Sequence, residues 1–134
     1  MPNISSHLPS FEPASGVTVN QFTAAYINSD GKLALATASI PGTGWCARAA
    51  DPAAENLIEQ RTTLIPYAGS SCASGISASA IAVGADVYFA AAGKIDDAGT
   101  FKCGKALTGT TAANQQIDFV ITIPFFNPAA FAAA

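Results

Sequence analysis

The chain has 134 residues, half of them hydrophobic, which is long enough for one domain with a sizeable core. Only 11% of its residues are charged and the net charge is −3, against ~25% charged in an ordinary soluble domain. Six basic residues scattered over the sequence cannot make the clustered positive surface that nucleic acid requires, and no apolar run reaches the ~18 residues that span a bilayer as a helix. A surface made instead of Ala, Ser, Thr, Gly, Asn and Gln costs little to desolvate, so it suits packing against neighbouring subunits.

Residues 1–16 read as an extended N-terminal arm. Pro2, Pro9 and Pro13 block a helix and favour extended backbone. Ile4, Leu8 and Phe11 are apolar points along it. They suit an arm laid on a partner, and equally an arm folded back on its own domain. The opening also lacks the basic start and apolar stretch of a secretory leader. Cys46, Cys72 and Cys103 are therefore expected as reduced, core-filling thiols made in a cytoplasm, with one disulfide and a free thiol as the alternative.

Residues 17–123 read as one domain of short strands. Two strand-like runs flank NSDG at 28–31, where Asp30-Gly31 is a hairpin signal because both residues tolerate positive φ. PGTG at 41–44 is a turn, and Trp45 to Ala47 a short strand. Asp51 followed by Pro52, with Glu55 close behind, predicts a short helix of two turns, with a polar loop as the alternative. RTTLIPY at 61–67 is extended, and 68–85 is weakly patterned. DVYF, KI, TFKCGKAL and QIDFVITI then read as strands separated by turns. In the last of these, Ile117, Phe119, Ile121 and Ile123 alternate with Asp118, Val120 and Thr122, which marks one buried face. The fold class expected is all-β: a compact barrel or sandwich of short antiparallel strands with at most one short helix. Residues 124–134 form a Pro/Phe/Ala-rich tail, whose Phe125, Phe126 and Phe131 suit a contact between subunits.

The sequence is poor in reactive chemistry. Its single histidine, His7, lies in the arm, where a catalytic base would be held loosely. Cys72 in GSSCASG lacks the pattern of a nucleophile elbow. Asp96-Asp97 sits in a turn-like stretch where both carboxylates face water. GTGW at 42–45 lacks the third glycine and the helix of a phosphate loop. No catalytic residue, metal site or cofactor is expected. Lys102 and Lys105, the nearest basic pair, read as a solvated strand edge.

Gly84, Val87-Tyr88, Gly93-Lys94-Ile95, Gly104-Lys105-Ala106-Leu107 and the alternating strand 117–123 carry a resemblance. In this order and spacing they resemble the C-terminal half of the small capsid decoration, or cement, proteins of tailed bacteriophages. The hairpin around Asp30-Gly31 fits the start of that family more loosely, and 42–79 has no counterpart. The resemblance implies a β-barrel on the outer surface of an icosahedral head, commonly a homotrimer, that clamps subunits of the major capsid protein. It implies a virion protein assembled in the host cytoplasm. Within that expectation Ile4, Leu8 and Phe11 are the arm's lattice contacts, and the tail phenylalanines close the trimer. A second reading is a virion surface or fibre-type module that grips host glycan through Trp45, Tyr26, Tyr67 and Tyr88.

Overall fold

The structure is a computed structural model that describes residues 9–68 and 71–122. His7, Ile4, Leu8, Ile123, Phe125, Phe126 and Phe131 lie outside the described residues. The strands are β1 (Ser10–Phe11), β2 (Ala24–Ile27), β3 (Leu33–Leu35), β4 (Gly44–Cys46), β5 (Thr62–Pro66), β6 (Cys72–Ile76), β7 (Asp86–Phe89), β8 (Ile95–Asp96), β9 (Lys102–Ala106) and β10 (Gln116–Ile121). They form two five-stranded antiparallel sheets, ordered β1-β5-β4-β2-β3 and β6-β10-β9-β7-β8. The all-β class expected from the sequence is the one observed.

Each sheet curls until its edges meet. In the first, Pro13, just past β1, bridges Leu33 in β3 in a parallel sense. In the second, Ser77, just past β6, bridges Ile95 in β8 in the same way. Closure of this kind satisfies edge groups that would otherwise recruit another strand. It also creates two interiors. The larger core joins Val87, Phe89, Ile95, Ile117 and Phe119 of the second sheet to Ala24, Ala36 and Tyr67 of the first. The smaller lies on the opposite face of the first sheet, where Val19, Ala25, Leu33, Cys46 and Ala50 pack with Phe11, Leu35 and Leu64. Adjacent residues Ala24 and Ala25 serve different cores because successive strand residues point to opposite faces. Small side chains there let β2 be covered on both sides. Each large aliphatic or aromatic buried in these cores contributes roughly 1.5–3 kcal/mol.

The local rules explain most elements. The 28–32 turn closes with the Asn28 N–H donating to the Lys32 carbonyl at 2.9 Å, and the Asn28 side-chain oxygen accepts from the N–H groups of Asp30 and Lys32. Gly31 takes φ +74°, as the hairpin signal requires. β10 buries Ile117, Phe119 and Ile121 and leaves the residues between them half-buried. Between β7 and β9 the register slips, so that Val87 faces Gly104 and Tyr88 faces Lys102. Cys103 is the extra residue of this bulge. It points into the larger core and its thiol donates to the Val87 carbonyl at 3.3 Å.

Of the two alternatives for the arm, its end at Ser10 and Phe11 takes the second, folded back on its own domain: these residues pair with Thr63 and Thr62, and Phe11 packs against the smaller core. Two expectations change. The predicted two-turn helix after Asp51 is absent. Asp51 instead accepts from the Ala53 N–H at 2.9 Å, and only a single 3-10 turn, Leu57–Gln60, forms, capped by Asn56. None of that turn's residues is buried, so no apolar face exists to stabilise a longer helix. Cys46 and Cys103 fill cores as expected, but Cys72 is exposed on β6.

Candidate functional site

The side chains that sequence reading weighed for chemistry are placed apart from one another. Asp96 accepts from the Ser79 hydroxyl at 2.6 Å and from the Asp97 N–H at 2.8 Å. The Ser79 bond holds the Asp96 carboxyl below its ordinary pKa, so it is a local hydrogen-bond acceptor rather than half of a carboxylate pair. Lys102 and Lys105 both turn onto Asp86, at 3.1 and 2.8 Å. Those hydrogen bonds, Lys105 first, hold the Asp86 carboxyl below its usual range and raise the Lys105 ammonium. Both lysines of the basic pair thus share one carboxylate across β7 and β9. Among the described residues no group of three or more His, Cys, Asp or Glu could hold a metal ion.

Cys72 lies along a shallow depression of about 350 Å³ with Trp45, Ser74, Leu107, Gln116 and Asp118. Asp118 is occupied there by the Ser74 hydroxyl at 2.7 Å. Among the described residues no imidazole or ammonium group lines this depression.

The aromatic residues are not assembled into a ligand platform. Tyr67 is buried in the larger core, and burial drives its phenol well above the ordinary pKa. Trp45 stacks on Tyr67 with centroids 5.4 Å apart, and Tyr67 in turn meets Phe89 at 5.7 Å and Phe119 at 6.3 Å. This chain of rings ties β4 of the first sheet to the core of the second. Trp45 is a structural link, worth about 0.5–1.5 kcal/mol per ring contact beyond its buried area. Tyr26 and Tyr88 sit on separate sheets, each half-buried. The four aromatics weighed for glycan binding therefore do not share a surface.

What the surface offers instead is apolar contact. Leu57, Ile58, Val83, Leu107 and Ile40 are exposed large aliphatics. Leu57 and Ile58 are adjacent at the tip of the β4–β5 connection, 74% and 63% exposed. Sequence reading did not single them out, because it placed them in a short helix begun at Asp51-Pro52 or in a polar loop. The available signal was the missing apolar partner face in DPAAEN, which carries only small or polar residues before Leu57.

No family model matches the sequence, and no curated protein matches it. Among solved structures the chain is similar to the crystal structure of the head fiber gp8.5 N base in bacteriophage phi29, with a TM-score of 0.63 and 16% sequence identity. The match covers 90% of this chain and 99% of that one. The likeness is one of fold: nearly the whole of this two-sheet architecture is shared with a phage head-fibre base.

Proposed function

We propose that this protein is a structural component of a phage virion, carried on the outer surface of the head, where it acts as a decoration protein on the major capsid protein. The observation that carries this reading is the fold correspondence over 90% of the chain with a protein described as the base of a head fibre. The low charge supports it, as does the internal use of the ionic groups, with Lys32 on Glu12 and both Lys102 and Lys105 on Asp86. Such a protein has no need of a catalytic group or a cofactor. Its mechanism is mass action: a ligand that binds the assembled shell and not its dissociated subunits stabilises the shell by its binding free energy. A homotrimer would present three equivalent contacts, and linked weak contacts give firm retention.

The test is to separate the proteins of purified source particles and quantify this chain against the major shell protein, then to compare the heat resistance of heads with and without it. Copy numbers comparable to the shell subunit, with earlier disruption of the bare heads, would support a decoration role. A handful of copies with no change in head stability would overturn it. The glycan-binding reading lacks a shared aromatic surface, since Tyr67 is buried and Trp45 stacks on it.

A further inference from the structure

A depression of about 320 Å³ lies at the junction of the two sheets, lined by Asn20, Thr23, Ile76, Ala92, Lys94 and Asn114. Asn20 and Thr23 come from the connection into β2, and Ile76 ends β6. Ala92 and Lys94 flank Gly93 at the entry to β8, and Asn114 belongs to the β9–β10 connection. Each segment is pinned. The Gly93 N–H donates to the Ala36 carbonyl at 2.8 Å, and a Cβ there would overlap the Thr23 methyl and the Ala24 carbonyl oxygen. The Asn114 N–H donates to the carbonyl of buried Ser77 at 2.7 Å. The Asn20 N–H donates to the Thr23 hydroxyl oxygen at 3.3 Å. Left-handed backbone in residues other than glycine also gathers here: Ala92 and Asn114 take φ +59° and +65°, and Phe22, beside Thr23, takes +70°. Such conformations persist only where the surroundings hold them, and they collect at ligand sites.

The unused side chains select the ligand. Those of Lys94, Asn20 and Asn114 make no hydrogen bond or ion pair with a described residue. The other basic side chains are engaged: Lys32 with Glu12, Lys102 and Lys105 with Asp86, and Arg48 and Arg61 with backbone carbonyls. The lining residues include no Asp or Glu. One ammonium matches one carboxylate; a phosphate monoester, with about −1.5 to −2 charges, would stay under-compensated. The neutral groups narrow the choice further. Each amide has donors and an acceptor, and the Thr23 hydroxyl, which accepts from the Asn20 N–H, has a proton to give. An acidic side chain of another protein takes donors only and would leave both amide oxygens without partners. Sugar hydroxyls donate and accept, so they satisfy an amide at both ends. Ile76 and Ala92 offer a small apolar contact to sugar C–H groups. The volume stands at the low end of the ~300–1,000 Å³ of ligand sites, room for one sugar ring.

We infer that this junction binds a carboxylate-bearing sugar, with Lys94 on the carboxylate and Asn20, Thr23 and Asn114 on the hydroxyls. The site uses none of the four aromatics weighed above, and it stands independently of the head-surface reading. A single shallow site of this size binds weakly, with a Kd of about 1 mM. Display in many copies would convert that into firm retention.

The experiment follows the backbone amides of the isotopically labelled full chain by NMR. Glucuronate, galacturonate and N-acetylneuraminate are titrated in, with glucose and acetate as the two halves of the chemistry. At least one acid sugar should give saturating shifts centred on Asn20, Ala92 and Asn114, with glucose and acetate at least about tenfold weaker. K94M should lose at least about tenfold in affinity. N114G removes the amide and accepts the left-handed backbone, and should lose about three- to tenfold. K94M should melt as the wild type does, because Lys94 has no partner among the described residues. If no acid sugar gives a saturating shift, or if K94M binds one as well as the wild type, the inference is overturned. If acetate binds as tightly as the acid sugars, the junction is a simple anion site, and the inference also falls. If K94M dissociates an oligomer of the free chain, a carboxylate of another copy holds the ammonium, which overturns it too. None of these outcomes touches copy number or the heat resistance of heads, which decide the head-surface reading.

Discussion

Replacing Gly104 with alanine tests the account of the second sheet most directly. Gly104 lies on β9, between β10 and β7, where it pairs with Ile121 on one side and Val87 on the other. A Cβ built there would overlap the Val120 carbonyl oxygen, lie 2.9 Å from its carbon, and press on the Phe119 ring at 3.1 Å. The obstacle is central backbone, which cannot rotate away. Relief requires parting β9 from β10 by about 1 Å, enough to forfeit one or two ladder hydrogen bonds at ~1 kcal/mol each, with ~1–3 kcal/mol of overpacking strain besides. The expected loss is about 3–5 kcal/mol, a large share of the ~5–15 kcal/mol by which a domain is stable. Gly84 is the control. It has φ +83° and open space around a built Cβ, so Gly84→Ala carries only the conformational cost, about 1 kcal/mol. Urea unfolding of both variants reads the two values. The reasoning fails if Gly104→Ala lies within 1 kcal/mol of the wild type by that ~1 kcal/mol scale, or if Gly84→Ala proves the worse.

Burial pushes the Cys46 thiol up to about 12 and raises Cys103 as well, while an unfolded thiol titrates near ~8.5. Their contribution is therefore complete below that unfolded value and is lost as pH climbs towards the folded one, with a slope of about 1.4 kcal/mol per pH unit per thiol above pH ~9. Denaturation curves at stepped alkaline pH should show this fall, and Cys46→Ala should remove one thiol's share of the slope while that of Cys103 remains. Thiol labelling of the native protein should modify Cys72 quickly and reach Cys46 and Cys103 only after unfolding, since the latter two are buried; one fast equivalent in a timed mass measurement is the expected count, and three would contradict the cores described. Asn28→Ala removes the acceptor for two turn N–H groups and should cost about 1–2 kcal/mol in the same urea assay, leaving Gly31 in its left-handed conformation without that support.

Much of the fold was legible from residues alone wherever a local rule acts alone. Asp30-Gly31 marked its hairpin because few residues accept positive φ. The alternation in β10 marked a half-buried strand because side chains on a strand alternate between faces. The sequence offered no motif that joins its one histidine, its three cysteines and its few carboxylates, so no catalytic role was expected of them. What it could not show depends on partners distant in the chain. β6 looks like low-complexity Ser/Gly/Ala, yet it pairs along its whole length with β10, and Gly75 leaves the room that Ile95 and Phe119 fill. Phe11 suited either a partner or its own domain, and only the closure of β1 against β5 shows that it packs against the smaller core. The segment at Leu57 and Ile58 read as a short helix, with a polar loop as the alternative, because Asp51-Pro52 is a local helix-start signal. A helix of that length forms only where a neighbouring surface covers its apolar face, and the tertiary structure places none there. Strands and turns thus follow from short-range stereochemistry and composition. Edge closure, the second core and the exposed tip follow from long-range pairing, which only the folded chain decides.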